Sequence, residues 1–516
     1  MSISPTQNLL IKIVNKDIFK LILAIFIIEL FSLISFKFAW LSAFFFILIL
    51  ILVLLFSLYK LEYGLYIALA ELMIGSQGYL FYFDLANFRA SIRLGIFLIV
   101  FFVWFFKYFR RRKNIKSFLN LPEKGPLYSS FIIFLIFIGI GVINGFLHGN
   151  NPKDIFFDFN GYLYFGLFFA FLDVFINFRQ IINFLKILFS ALIYVALKIF
   201  ATLYIFTHGF ETLIDLLYTW IRDTRVGEIT WAGANFFRIF LQSQIYGLII
   251  IFIAASLILG LFMLKQEKFK QIIKDKYLLF LFLILVFAQT SVLISFSRSF
   301  WIAEISGFIA FFIFLAVLNR EKILQIFQTL LIIFCAGITS LLLMLLIINF
   351  PIPKPSAAFT ASMISDRLKT ISGEAGVSSR WNLLPDLLEK NKKNLILGTG
   401  FGTTVTYQTE DPRIKNEQNP EGWYTTYTFE WGYLDTITEM GILGLLIYLI
   451  FLGQIFHLGL KNFNSVNFKF LNLGFFIGLV VLLVTHAFSP YLNHPLGIGY
   501  LMVTVSIFQI IKKQAI

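Results

Sequence analysis

One cysteine, Cys335, in a chain of 516 residues excludes an intrachain disulfide. The five histidines, His148, His208, His457, His486 and His494, show no HxxxH or HExxH spacing, so the sequence carries no sign of a metal centre. Charged residues make up only 14% of the chain, and no internal repeat, heptad run or low-complexity linker interrupts it. The one glycine-rich turn, Gly398-x-Gly400-x-Gly402, lacks the Lys-Ser/Thr ending of a phosphate loop and the strand and helix that frame a dinucleotide fold. It reads instead as a sharp turn whose glycines let backbone approach a ligand closely.

What is present is apolar. At 59% hydrophobic residues and mean hydropathy +0.85, with many runs long enough to cross a bilayer, the chain is an all-α polytopic membrane protein. The 67 phenylalanines are spread over nearly every run beside Ile, Leu and Lys, which points to packing and compositional bias rather than to a cofactor box. About fourteen runs of roughly 17–25 residues qualify as spans, giving an expected 12–14 transmembrane helices. They begin near Phe19, Phe38, Tyr63, Ser91, Leu127, Phe159, Ile181, Phe236, Tyr277, Phe300, Ile323, Glu430, Phe468 and Leu496. The polar start, Met1 to Asn15 with Lys12 and Lys16, precedes an apolar run without a small-residue cleavage site and reads as a retained signal anchor.

Net charge is +14, a balance that in a soluble protein would suggest nucleic acid. Here the basic residues fall between alternate pairs of spans: Lys12 to Lys20, Lys107 to Lys124, Lys265 to Lys276, Arg320 with Lys322, Lys461 with Lys469, and Lys512 with Lys513. That is the positive-inside pattern. It orients the chain with both termini cytoplasmic and points away from a nucleic-acid partner. The same topology leaves one large outer loop between Pro351 and Phe429, carrying short helices and embedded in a single membrane domain spanning 1–516. Within it, Asn382 is expected to cap a short helix reaching Glu389, with Pro385 in the first turn.

Arginines on the outer side need a partner, because positive-inside bias disfavours them there. They are Arg222, Arg225, Arg238, Arg298, Arg367 and Arg380. Arg298, in Ser295-Phe296-Ser297-Arg298-Ser299-Phe300-Trp301, is squeezed between two spans. One such residue can snorkel to head groups; several from separate segments suit the oxygens of a diphosphate, which planar guanidinium groups bind in pairs. Among the acids, Glu430 sits where the loop meets the next helix, whereas Glu410, Asp411, Glu417 and Glu421 read as a solvated loop. Asp435 and Glu439 share a helix face. Charges within spans, Glu29, Glu71, Asp173, Lys198 and Glu304, are the features that would favour an ion path and hence a transporter. His486 and His494 are expected at a helix end facing water.

Taken together, these segments resemble the O-antigen ligase and polymerase superfamily of bacterial surface-polysaccharide enzymes. Arg380-Trp381-Asn382-Leu383-Leu384 resembles the family's Arg-x-x-x-Leu motif. Leu397 to Gly402 resembles its glycine turn, and Ser297-Arg298-Ser299-Phe300-Trp301 resembles the arginine segment entering an earlier span. Phe237-Arg238 resembles a further arginine at a helix start. Glu430-Trp431, nine residues, and then Gly441-Ile442-Leu443-Gly444 match a later motif in spacing and glycines, with Glu430 standing where the ligases carry histidine.

The resemblance implies a transferase that moves a glycan from a polyprenyl-diphosphate donor to an acceptor hydroxyl, on a glycan or a lipid, at the outer membrane face. Membrane lipids surround it, and it uses neither cofactor nor metal. Arg298, Arg380 and Glu430 are the expected catalytic residues, with Glu430 as general base. Arg225, Arg238, Gly398, Gly400 and Gly402 are the expected substrate-binding residues. The alternative is a polysaccharide or lipid transporter or flippase, which would call for repeated halves or paired broken helices. A membrane scaffold with an outer interaction loop is the plainest reading.

Overall fold

The computed structural model of the protein describes residues 5–85, 88–111, 125–233, 236–264, 274–318, 322–355, 375–411, 414–464 and 468–515. Lys113, Arg320 and Arg367 lie outside them. Apolar runs become helices because a chain in hydrocarbon must satisfy its own backbone groups. Among the described residues, thirteen helices are long and apolar enough to cross a membrane. The protein is therefore an all-α polytopic membrane protein.

The fourteenth expected span, near Tyr63, is the 15-residue helix Leu61–Gly75. At 1.5 Å per residue it reaches only about 22 Å, short of a hydrocarbon core of roughly 30 Å. It ends at Ser76, whose φ is 49°, and passes into the hairpin Tyr82–Leu85 with Phe88–Ser91. Two further hairpins pair Gly227–Gly233 with Phe236–Leu241 and Val405–Gln408 with Trp423–Thr426. Each of the three hairpins leads into a long helix. The chain start is more than a polar tail: Pro5–Ile13 is a helix that buries Leu9, Leu10 and Ile13 against the bundle.

Gln244–Leu264 is the central helix, buried along its apolar length and packed on Lys276–Ile294 and Lys469–Phe488. Arg298–Leu318 lies against Lys469–Phe488, and Pro126–Leu147 against Gly432–Lys461. Ala39–Tyr59 and Ile323–Ile348 form the periphery, and expose Leu55, Phe334 and Leu342 as they would to lipid. Phenylalanines serve as packing throughout: Phe131 and Phe168 have ring centroids 4.0 Å apart, and Phe134 stacks on Tyr448 at 4.2 Å.

Glu29, Glu71, Asp173 and Lys198 are joined to partners on other helices rather than strung along a path, while Glu304, buried in Arg298–Leu318, accepts from the Gln289 side chain. Lys198 donates to Glu29 at 2.7 Å, Arg93 to Glu71 at 2.7 Å, and the Trp104 indole to Asp173 at 2.8 Å. Burial of an isolated charge in lipid costs several kcal/mol, and such pairing relieves it.

Between Ile348 and Gly432 the chain builds a small lobe. Its helix, Ala375–Lys393, buries Leu383 and Leu387 with Val405, Tyr407 and Phe429, a cluster separate from the core of the bundle. The helix starts before the expected cap. Asn382 is therefore interior, its amide donating to the Gln408 carbonyl at 3.1 Å, and Pro385 lies mid-helix. Packing of one apolar face against the Val405–Gln408 strand outweighs the local breaker signal.

Candidate functional site

The glycine turn is seated first, because it fixes how the lobe meets the bundle. Gly441 has φ of 71° and interrupts the helix Gly432–Lys461. The interruption frees backbone groups of that helix for the turn: Ile442 N–H donates to Leu395 at 2.8 Å, and the Thr438 carbonyl accepts from Thr399 N–H at 2.9 Å. On the other side, the Asn144 amide donates to the Gly398 carbonyl at 2.6 Å, and Asn150 donates to Phe401 at 2.8 Å. The Gly402 N–H donates to Asp158 at 2.7 Å. Gly398, Gly400 and Gly402 all have positive φ, with backbone of Thr438, Gly145 and Ile155 respectively filling the place a Cβ would take. Their close approach is thus to protein backbone. The two glycine motifs of the sequence interlock as one structural joint.

Across from this joint, three arginines from distant segments converge. The hairpin carries Arg238, whose Nε donates to the Ser295 carbonyl at 2.7 Å. That carbonyl belongs to the tight turn entering Arg298–Leu318, where buried Phe296 has φ of 46° and packs on Phe236 at 4.9 Å. A bulky residue in the left-handed region is strained and persists only where its surroundings hold it. Here the strain brings Arg298 to the first turn of its helix, where a cation opposes the helix dipole. The lobe helix contributes Arg380. Burial, followed by the charges of Arg238 and Arg298, holds the Arg380 guanidinium down at about 10. Glu430, exposed at the entrance to the next helix, forms an ion pair with Arg380. The Trp431 indole donates to the Arg380 carbonyl at 3.1 Å and ties the two segments together.

Arg238, Arg298, Arg380 and Glu430 are thus brought together. Arg225 is engaged elsewhere: its guanidinium lies 4.8 Å from the centroid of the Tyr79 ring. Burial chiefly, with help from Asp154 and Asp158 and against Arg225, pushes the Tyr427 hydroxyl up.

Asp435 and Glu439 do share a face, and the structure adds Asp158, with carboxylate oxygens of all three within 4.8 Å of one another. This group is close enough to hold a metal ion. Tyr162 donates to Glu439 at 2.6 Å, Asn493 to Asp435 at 3.1 Å, and Gly402 N–H to Asp158, so protein donors already engage every member. It is a buried polar seat beneath the glycine turn. His486 differs from expectation: it is fully buried, its Nδ1 accepts from Leu492 N–H at 3.2 Å, and its ring meets Tyr433. The histidine packs on the start of Gly432–Lys461 and on the turn at Leu492 instead of facing water. Sequence reasoning missed Asn144, Asn150 and Asp158; each is some 250 positions from its partner loop, and no local pattern links them.

Fold and site together define a multi-pass membrane protein with a cationic cluster where a polar lobe meets its helical bundle. Residues 278–449, about a third of the chain, match the family model described as O-Antigen ligase, a match that supports an O-antigen ligase-like protein from an enzyme family that handles lipid-linked glycans. The matched segment contains Arg298, Arg380, both glycine motifs and Glu430; Arg238 lies before it. No curated protein matches the chain.

Proposed function

We propose that the protein transfers a glycan from polyprenyl diphosphate to an acceptor hydroxyl at the outer face of the bacterial cytoplasmic membrane. The observation that carries this reading is the convergence of Arg238, Arg298 and Arg380, three like charges gathered at a cost that a diphosphate would offset. In this topology the short helix Leu61–Gly75, with the segment that follows it, carries the chain across as well, so the crossings stay even, the basic loops lie inside with both termini, and the lobe faces outward.

In the proposed reaction the donor diphosphate takes over Arg380 from Glu430. The released carboxylate accepts the proton of the acceptor hydroxyl, whose oxygen attacks the anomeric carbon as its bond to the diphosphate oxygen breaks. The electron pair leaves on the diphosphate, where the arginines stabilise the developing charge; the proton on Glu430 then passes to water. Attack opposite to departure inverts the anomeric centre. The buried pairs Glu29–Lys198 and Glu71–Arg93 link helices, which favours an enzyme over a transporter.

Transfer assayed with purified lipid-linked donor tests the assignment. Glu430→Gln is expected to lower the rate by about 10²-fold or more; full activity in that variant removes the general-base role. In cells, deletion of the gene separates two forms of the reaction. Accumulated single repeats indicate polymerisation, and accumulated lipid-linked polymer indicates ligation.

A further inference from the structure

We infer that the last turn of the lobe helix and the turn that follows it bind anionic phospholipids of the outer leaflet, with residues 395–397 at the edge of the hydrocarbon and Lys390, Lys392 and Lys393 on the lipid phosphates. The surface rests on the outward orientation of the lobe and is independent of the transfer chemistry proposed above.

Two helices fix the height of this turn. Gly441 interrupts Gly432–Lys461, and the stretch from residue 442 to Lys461 rises about 30 Å, the thickness of a hydrocarbon core. Lys461 belongs to an inner basic loop, so Gly441 lies at the outer edge. In Pro126–Leu147, which follows another inner basic loop, residues 126–145 rise about as far. The turn is bonded to both helices at that level. The Leu395 and Ile396 carbonyls accept from the Ile442 and Leu443 N–H groups at 2.8 and 3.4 Å, and the Phe401 N–H donates to the Gly141 carbonyl at 3.2 Å. Leu395, Ile396 and Leu397 are 49%, 63% and 44% exposed, and the first turn of the span below exposes Leu443 and Leu446 as well. In water this would be a costly apolar patch; at the edge of a bilayer it is covered by acyl chains.

The charges stand directly above it. Lys392 and Lys393 are exposed and precede Leu395 so closely that their backbone lies within about 10 Å of it. Their ammonium groups can therefore reach head-group height while the stems lie along lipid. Glu389 pairs with Lys393 at 2.9 Å, yet the three lysines still outnumber Glu389 and Asp386, the acids of the same two turns. Lysines at a helix C-terminus also suit its dipole, but the dipole does not account for the exposed apolar run that follows. Cations above an apolar tip match an anionic lipid, phosphate above and acyl chain below. The same helix carries Arg380, so lipid bound at its last turn holds Arg380 at a fixed height over the membrane.

The test uses the full-length protein in phosphatidylcholine vesicles that contain a titrated fraction of lipid brominated on the upper acyl chain, either phosphatidylglycerol or phosphatidylcholine. A bimane on Ile396→Cys, in the Cys335→Ser protein, reports lipid contact by quenching. A bimane on Cys335 itself, exposed midway along Ile323–Ile348, is the reference. At Ile396 the brominated phosphatidylglycerol is expected to reach half-maximal quenching at a mole fraction about fivefold or more below that of brominated phosphatidylcholine. At Cys335 the two lipids should quench alike. Lys392→Gln combined with Lys393→Gln is expected to bring the two lipids level at Ile396 without loss of quenching. Absence of quenching at Ile396 would put the turn in water, and equal quenching by both lipids with the lysines present would remove the anionic preference; either result overturns the surface. A preference that survives the double substitution overturns the role of the lysines. These readings need no glycan, so failure to transfer glycan or bind diphosphate would strike the proposed function and leave them unmoved.

Discussion

Two polar regions meet where the lobe joins the bundle, and they handle polarity in opposite ways. In the glycine joint, opposite partners are matched: Asn144 and Asn150 amides with loop carbonyls, Asp158 with the Gly402 N–H, and the Thr438 carbonyl with Thr399 N–H. In the arginine cluster, like charges are gathered, and one of them stands at the positive end of a helix. Matched polar groups make a rigid hinge plate; gathered like charges raise the energy of the empty site and favour an anion.

The comparison breaks if the cluster proves structural. Arg298→Ala or Arg380→Ala is expected to reduce transfer by about 10²–10³-fold while the protein still inserts and melts near the wild-type temperature. Transfer near wild type in both, measured with purified donor, would reduce the cluster to packing. At the joint, Gly400→Ala has the reverse signature. Its φ of 86° and the adjacent Gly145 backbone leave no room for a Cβ, so about 2–3 kcal/mol of stability is lost and folded yield falls, which thermal melting in detergent would report.

Asn150→Ala should be milder, costing about 1–3 kcal/mol, because it leaves the Phe401 carbonyl without that donor. Activity per folded molecule should hold, as active-site titration against the melting curve would check. The smallest effect sharpens the contrast most. Arginine stays protonated at accessible pH, so the downward push on Arg380 acts as a cost to the empty folded state: its charged form is disfavoured relative to the unfolded chain below about pH 10. Arg380→Gln is therefore expected to leave the melting temperature close to wild type at neutral pH, because relief of the burial cost is offset by loss of the Glu430 pair, while lowering transfer as Arg380→Ala does. Added diphosphate should raise the melting temperature of wild type alone.

Much of this site was legible in the chain. Arg238 and Arg298 stand out because positive-inside bias makes an arginine at a short outer segment conspicuous, whatever the fold, and Arg380 through its Arg-x-x-x-Leu spacing. Glu430 stands out by its place at a helix entrance. By contrast, Asp158 sits in an aromatic stretch and resembles an ordinary acid near a helix end; only the packing of Gly402 on that helix gives it a partner. His486 looked solvent-bound because its packing on Tyr433 and the turn at Leu492 leaves no local trace, and Asn382 looked like a cap because a helix that continues through proline is locally unfavourable.

The sequence by itself determined the class of the protein, since apolar runs of sufficient length have few other ways to satisfy their backbone in a bilayer. It also marked the glycines, because positive φ is costly for other residues. Tertiary structure decided what those glycines touch, and that Arg225 lies over Tyr79 rather than with the other arginines. It also placed Glu430 on Arg380. Contacts between segments hundreds of residues apart depend on how the helices pack, and packing is a property of shapes in three dimensions that no local pattern encodes.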